Sequence, residues 1–284
     1  MKPPRKHHYL PEWYLTRWAK PWRGEDVVWE FQRVGPDQVL RTRYRHPAAA
    51  GYKEHLYTYP KRAPVDAARI ETDFLQLIDD RGAKALAMAE ENQAAGPRDK
   101  GGLVQFMLSM IHRSPERINF LHQRLMDDLA DNPLFEGEGP DYFREGALDV
   151  FVDLVQSDLM LDRMMEMKTF VINLSDDAHN LLVSDCPLMM SNGLAHKDAF
   201  VLLPTGPRKL IMLADNPALP QHVVGHNGRV ISKAMNDAVV TQAKKTVYAS
   251  DDRQKRFIEN RLNRPDRTLA RAIDKTTGLV YWKI

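Results

Sequence analysis

The spacing of apolar residues changes once along this chain, and that change constrains the fold more than any other feature. From about residue 65 to residue 167, apolar residues recur at helical spacing, as Ile70 and Phe74 do. After Lys168 they form short runs broken by turn residues, which is typical of strands. The connections between these runs are too short for crossover helices, so we expect antiparallel pairing. The sequence therefore predicts an α+β protein, with a helical middle packed on a small antiparallel sheet from the C-terminal half.

The N-terminal segment, residues 1–62, begins with 23 residues that are rich in aromatic side chains. They are Tyr9, Trp13, Tyr14, Trp18 and Trp22. Several recur at helical spacing after Pro11, which suits a first helical turn. We expect them to be packed, because a free segment would expose a large apolar patch. We also predict a hairpin around Gly35-Pro36-Asp37 and a single domain that joins segments 1–62, 63–168 and 169–284.

Four local expectations are specific enough to be checked. Ser114 followed by Pro115 predicts the capped start of a helix. Apolar spacing predicts one helix over about 142–167 and another over 230–246. Residues 278–282 are expected to form the final strand.

Composition excludes several classes of protein. Cys186 is the one cysteine, so a disulfide-stapled scaffold is excluded. No window approaches ~18 uncharged apolar residues, so we expect no membrane-spanning helix. The charged first residues lead into no apolar stretch, so we expect a cytoplasmic protein without a signal peptide.

Charge is distributed unevenly along the chain. Residues 1–62 hold 13 Lys and Arg against 6 Asp and Glu, residues 63–180 hold 11 against 23, and residues 181–284 hold 16 against 9. A basic N-terminal region can contact nucleic acid. Alternatively, the basic ends fold back beside the acidic middle.

The familiar catalytic and nucleotide-binding motifs are absent, so candidate residues must be judged singly. His7 and His8 are adjacent, and such a pair can supply a metal ligand and a supporting donor, or anchor the backbone. Arg113 ends a nearly apolar helix, so its guanidinium needs a partner, either a substrate phosphate or a protein acid.

Three further polar residues lie at unusual places in the pattern. Asp185 follows a predicted strand, where it can bind a metal, take a proton or accept backbone N–H groups in a turn. Glu71 lies at the edge of an apolar helix face, where it can meet a buried Arg or His. Asn236 lies inside a helix, which its propensity does not favour.

The same residues carry a family resemblance. The motifs are His7-His8-Tyr9-Leu10-Pro11, Glu54-His55-Leu56-Tyr57, Ile70-Glu71, Arg113-Ser114-Pro115, Ser184-Asp185-Cys186-Pro187 and Asn236. In order and spacing they resemble the bacterial family known as domain of unknown function 4238, over about residues 7–250. The resemblance implies a site assembled from His7, His8, Glu71, Arg113, Asp185 and Asn236.

Two classes of function follow from these residues. The first is a hydrolase of nuclease type, with His7 or His8 as base or metal ligand, Asp185 and Glu71 as metal-binding or base carboxylates, and Arg113 binding a phosphate. The ligands expected for a divalent metal are His8 and Asp185. The second is a non-catalytic binding or structural protein, in which the same polar residues form an internal network. We also expect Asp185 to be a natural partner of Arg113.

Overall fold

The computed structural model describes residues 4–191, 194–263, 271–273 and 280–282. Within them the chain forms helices and antiparallel sheets, which confirms the α+β class. The strands are β1 (Lys6–His8), β2 (Lys20–Trp22), β3 (Glu25–Val34), β4 (Val39–Arg45), β5 (Tyr52–Glu54), β6 (Lys168–Asn173), β7 (Val183–Ser184), β8 (Met189–Met190), β9 (Phe200–Gly206), β10 (Lys209–Ala214), β11 (Thr246–Ala249), β12 (Arg271–Ile273) and β13 (Val280–Trp282). The helices are α1 (Glu12–Thr16), α2 (Pro64–Ala67), α3 (Gln76–Glu90), α4 (Pro97–His112), α5 (Pro115–Leu129), α6 (Pro140–Val155), α7 (Asp158–Glu166), α8 (Ala218–Val224), α9 (Gly228–Gln242) and α10 (Lys255–Glu259).

The chain divides into two compact units, and each is built from separated stretches of sequence. The first comprises the residues up to Tyr9 together with Tyr52–Leu161, and the second comprises Leu10–Gly51 with the residues from Asp162 onward. The N-terminal segment therefore contributes to both units. That the chain unfolds as one cooperative domain stays a prediction.

The first unit is mainly helical. Helices α3 and α4 pack closely, because Gly82 and Gly102 leave room for the facing helix: a Cβ at Gly82 would lie 2.5 Å from the Cβ of Phe106. Ser114 caps α5 as predicted, since its Oγ accepts the Arg117 N–H at 3.2 Å. A two-stranded ribbon of β1 and β5 completes the unit.

A π-helical turn, Ile70–Leu75, precedes α3 and was not predicted from the helical spacing. Such turns are rare and occur frequently at functional sites. It contains Glu71, one of the candidate residues.

The second unit contains two antiparallel sheets. One has the order β6-β10-β9-β8 and comes entirely from the C-terminal half, as expected. The other has the order β2-β3-β11-β7, with β4 paired to β3, so it joins N-terminal and C-terminal strands. The β3–β4 hairpin was predicted, but the pairing of β3 with β11 was not.

Buried side chains from these sheets and α9 form the core of the second unit. Phe31, Leu210, Val239 and Val247 belong to this cluster and have no exposed surface. The prediction that the N-terminal aromatics are packed holds in this unit for Tyr14 and Trp18, which are buried, and not for Trp22, which is 42% exposed. Trp18 is completely buried, and its indole N–H donates to the Leu181 carbonyl at 2.7 Å.

Two predicted helices have different bounds. The helix expected over 142–167 is interrupted between α6 and α7, where Ser157 and Asp158 favour a new helix start. The helix expected over 230–246 ends at Gln242, because Thr246 begins β11, a strand that pairs with both β3 and β7. The expected final strand is found at Val280–Trp282, and residues 278–279 lie outside the described residues.

No helix of the described ranges combines the length and the apolar character needed to cross a membrane.

Candidate active site in the first unit

Strand β1 places the two adjacent histidines in the first unit. It pairs antiparallel with β5, so that His7 lies opposite Lys53 and His8 lies opposite Tyr52. Because successive side chains of a strand point to opposite faces, the two imidazoles have different surroundings. His7 is completely buried, whereas His8 packs its ring 5.8 Å from the ring of Tyr52.

Both ring nitrogens of His7 are engaged. Its Nδ1 accepts the Tyr57 backbone N–H at 3.0 Å, so its Nε2 carries the proton and donates to the Pro4 carbonyl at 3.1 Å. Burial lowers the pKa of His7, which keeps the imidazole neutral. With both nitrogens occupied, His7 anchors the N-terminal strand.

The backbone of His8 is held by two side chains from the helical part of the unit. Its N–H donates to Glu71 Oε1 at 3.1 Å, and its carbonyl accepts from Arg113 Nη2 at 2.8 Å. In an extended strand the N–H and C=O of one residue point the same way. Glu71 and Arg113 therefore approach β1 from one side.

Arg113 finds its carboxylate partner at Asp79. The guanidinium, of which 1% is exposed, donates to the two Asp79 oxygens at 2.6 and 3.1 Å. This two-point pair is the strong geometry for an arginine and a carboxylate. Asp185 was expected to pair with Arg113. In the structure the partner of Arg113 is instead Asp79, an acid of the same unit. Tyr57 adds a further contact, because its hydroxyl donates to the Arg113 carbonyl.

Glu71 is the least satisfied group of this cluster. Burial is the main cause that raises its pKa from the ordinary 4.5 to about 7, and the nearby Arg113 charge and the His8 N–H only partly oppose the rise. Its second oxygen, Oε2, is buried, and no described residue forms a hydrogen bond with it. Arg113 Nε is likewise buried, and no residue of the described ranges forms a hydrogen bond with it. We call His8, Glu71, Asp79 and Arg113 the Glu71 cluster.

Asp185 lies in the second unit, where it organises backbone. It follows β7, and its carboxylate accepts the N–H groups of Lys244, Lys245 and Thr246 at 2.9, 2.7 and 3.0 Å. Its own N–H donates to the Thr246 carbonyl at 3.1 Å. Asp185 thus fixes the connection between α9 and β11, a segment distant from it in sequence.

Asn236 also holds backbone in the second unit. Its Oδ1 accepts the Leu182 N–H at 2.8 Å, and its Nδ2 donates to the Asn180 carbonyl and to Gln254 Oε1, both at 2.9 Å. The side chain is buried, with 1% exposed. These bonds explain why an asparagine lies in the middle of α9: its side chain forms hydrogen bonds with backbone groups of the irregular segment before β7.

The structure therefore groups the six sequence candidates by unit. His7, His8, Glu71 and Arg113 lie together in the first unit, and Asp185 and Asn236 belong to the second. Asp79 was missed, because an acid on the polar side of an amphipathic helix resembles an ordinary surface residue. The one usable signal was indirect: a buried Arg113 requires an acid somewhere.

A metal centre was a further hypothesis, with His8 and Asp185 as ligands. Among the residues that the structure describes, no group of three or more His, Cys, Asp or Glu side chains is arranged to hold a metal ion.

The chain is similar to a known protein family. No curated protein and no solved structure matches the chain. The family model described as protein of unknown function (DUF4238) matches residues 6–253, which include both the Glu71 cluster and the Asp185 and Asn236 positions. The chain therefore belongs to the DUF4238 family.

Proposed function

We propose that the protein is a hydrolase in which Glu71 acts as a general base on a water molecule. The observation that carries this proposal is the buried, uncommitted Oε2 of a carboxyl group whose pKa is about 7. A general base works best when its pKa lies near the operating pH, because it is then both available and basic enough.

The surroundings of Glu71 support an acid–base role. Burial raises its pKa, while the bond from the His8 N–H fixes Oε1 and so orients the second oxygen. A carboxyl perturbed by burial and by specific charges is a recognised sign of a functional site. The π-helical turn that carries Glu71 is a second such sign.

Arg113 supplies a donor in the same cluster. Its terminal nitrogens are fixed by Asp79 and the His8 carbonyl, whereas its Nε has no hydrogen-bond partner among the described residues. One buried acceptor and one buried donor, held by contacts to the same residue His8, complement a group that both donates and accepts. A water molecule and a substrate hydroxyl are such groups.

A structural network is the second candidate, and two observations favour it. His7 has both ring nitrogens engaged, and Arg113 forms a closed pair with Asp79. A polar network that serves only stability satisfies its members internally. Under this hypothesis Glu71 serves to hold β1 against the π-helical turn.

The two candidates are separated by an activity screen of the full-length protein. Wild type and Glu71→Gln are assayed on chromogenic esters, amides, glycosides and phosphodiesters between pH 5 and 9. Asp73→Asn is the matched control, because Asp73 is an exposed acid of the same turn. We expect one substrate class to be hydrolysed with a rate that rises through pH 7, and we expect Glu71→Gln to lower that rate by about 10²–10⁴-fold.

Two results would count against the hydrolase. Turnover that Glu71→Gln leaves unchanged removes Glu71 from the reaction. Absence of turnover in every class, measured on folded wild-type protein, leaves the structural network as the better account.

A further inference from the structure

The charges of the Glu71 cluster limit the substrate that its proposed chemistry can accept. The charged side chains that act on the Glu71 carboxyl are Arg113 and Asp79, which have opposite signs. The Asp79 carboxylate already compensates the Arg113 guanidinium through two hydrogen bonds. With Glu71 ionised, the three side chains carry a net negative charge.

A phosphodiester is poorly suited to such surroundings. Sites for phosphoryl groups use Arg, Lys or metal cations whose charge the phosphate itself neutralises. Here the terminal nitrogens of Arg113 are taken, and a phosphate would lie beside two carboxylates, Asp79 and Glu71. The electrostatics therefore oppose the nuclease form of the hydrolase hypothesis.

The remaining donor fits a different group. Arg113 Nε presents one N–H in a buried setting, and a single preorganised donor can stabilise the oxyanion of a tetrahedral intermediate. We propose that the substrate of the Glu71 cluster is an uncharged acyl compound, a carboxylic ester or amide. This inference rests on the proposed function.

The reaction balances with water as the only co-reactant. The Glu71 carboxylate takes a proton from water while the water oxygen bonds to the acyl carbon and the carbonyl oxygen becomes an oxyanion. The Arg113 Nε–H donates to that oxyanion. The intermediate then collapses, the bond to the leaving oxygen or nitrogen breaks, and Glu71 returns its proton to the leaving group.

The test compares p-nitrophenyl acetate and p-nitrophenyl butyrate with bis(p-nitrophenyl) phosphate, on wild type, Glu71→Gln and Asp73→Asn. We expect hydrolysis of the esters by wild type and Asp73→Asn, with at least a 100-fold loss in Glu71→Gln. We expect no Glu71-dependent hydrolysis of the phosphodiester. The rate of ester hydrolysis that remains in Glu71→Gln is the background contributed by surface nucleophiles.

The outcomes separate this inference from the proposed function. Phosphodiester hydrolysis that depends on Glu71 would leave the general base standing and overturn the acyl substrate. Absence of Glu71-dependent hydrolysis of both esters would overturn the acyl substrate, and absence in every class of the wider screen would overturn the general base as well.

A binding measurement with inorganic phosphate tests the charge argument directly. Isothermal titration of wild type should detect no phosphate binding that depends on Arg113. Asp79→Asn should bind phosphate detectably, because the Arg113 guanidinium has then lost its carboxylate partner. Phosphate binding by wild type that depends on Arg113 would overturn the inference. This wild-type measurement does not require the Asp79→Asn protein to fold.

Discussion

Replacement of Glu71 by glutamine should stabilise the protein at neutral and alkaline pH. Burial raises the pKa of Glu71 from 4.5 to about 7, so the folded state keeps a proton that the unfolded chain has lost. A raised carboxyl pKa contributes stability that is fully present below pH 4.5 and is lost as the pH rises through about 7. A tenfold change in an ionisation constant is worth about 1.4 kcal/mol, so the rise of the pKa from 4.5 to about 7 lowers the free energy of unfolding above pH 7 by about 3 kcal/mol.

Glutamine cannot lose a proton, so the variant escapes this loss while it retains an acceptor for the His8 N–H. Urea unfolding at half-unit steps from pH 4.5 to 8.5 measures the difference between the two proteins. We expect the curves to meet near pH 4.5 and to separate as the pH rises, with the variant more stable at pH 8. Asp73→Asn controls for the removal of one carboxylate from the same turn. Parallel curves, or a glutamine variant that is less stable at pH 8, would refute the reasoning.

Three further predictions follow from buried contacts, each measured by chemical denaturation. Asp79→Asn should cost about 3–5 kcal/mol, because it leaves the Arg113 charge buried and unpaired; a loss below about 1 kcal/mol would contradict the pairing. Asp185→Ala should cost about 3 kcal/mol or more, since three backbone N–H groups lose their acceptor; an unchanged midpoint would be inconsistent with those bonds. Deletion of residues 1–22 should cost several kcal/mol, because it removes the buried Trp18; an unaltered denaturation midpoint would contradict this.

Local patterns in the sequence predicted local structure well. The helical spacing before Lys168, the short apolar runs after it and the cap at Ser114 each depend on residues close together in the chain, so they were readable without tertiary contacts. One local feature was not predicted. The π-helical turn at Ile70–Leu75 has the same apolar spacing as an ordinary helix start, so the pattern could not distinguish the two.

Pairing between distant segments was beyond the sequence pattern. The start of strand β11 was placed inside a helix, because the residues after Val240 continue its apolar spacing. The conformation of β11 depends on hydrogen bonds to β3, more than 200 residues earlier in the chain. Propensity is weak evidence where such tertiary pairing decides the outcome.

For the candidate site, the sequence by itself determined which polar residues needed an explanation. Arg113 at the end of an apolar helix, Glu71 at the edge of another and Asn236 inside a third were each recognisable as misfits. Only the tertiary structure decided their partners, because hydrogen bonds and charge compensation depend on three-dimensional distance rather than on order along the chain. In the tertiary structure Arg113 pairs with Asp79, Glu71 accepts the His8 N–H, and Asn236 bonds to the segment before β7.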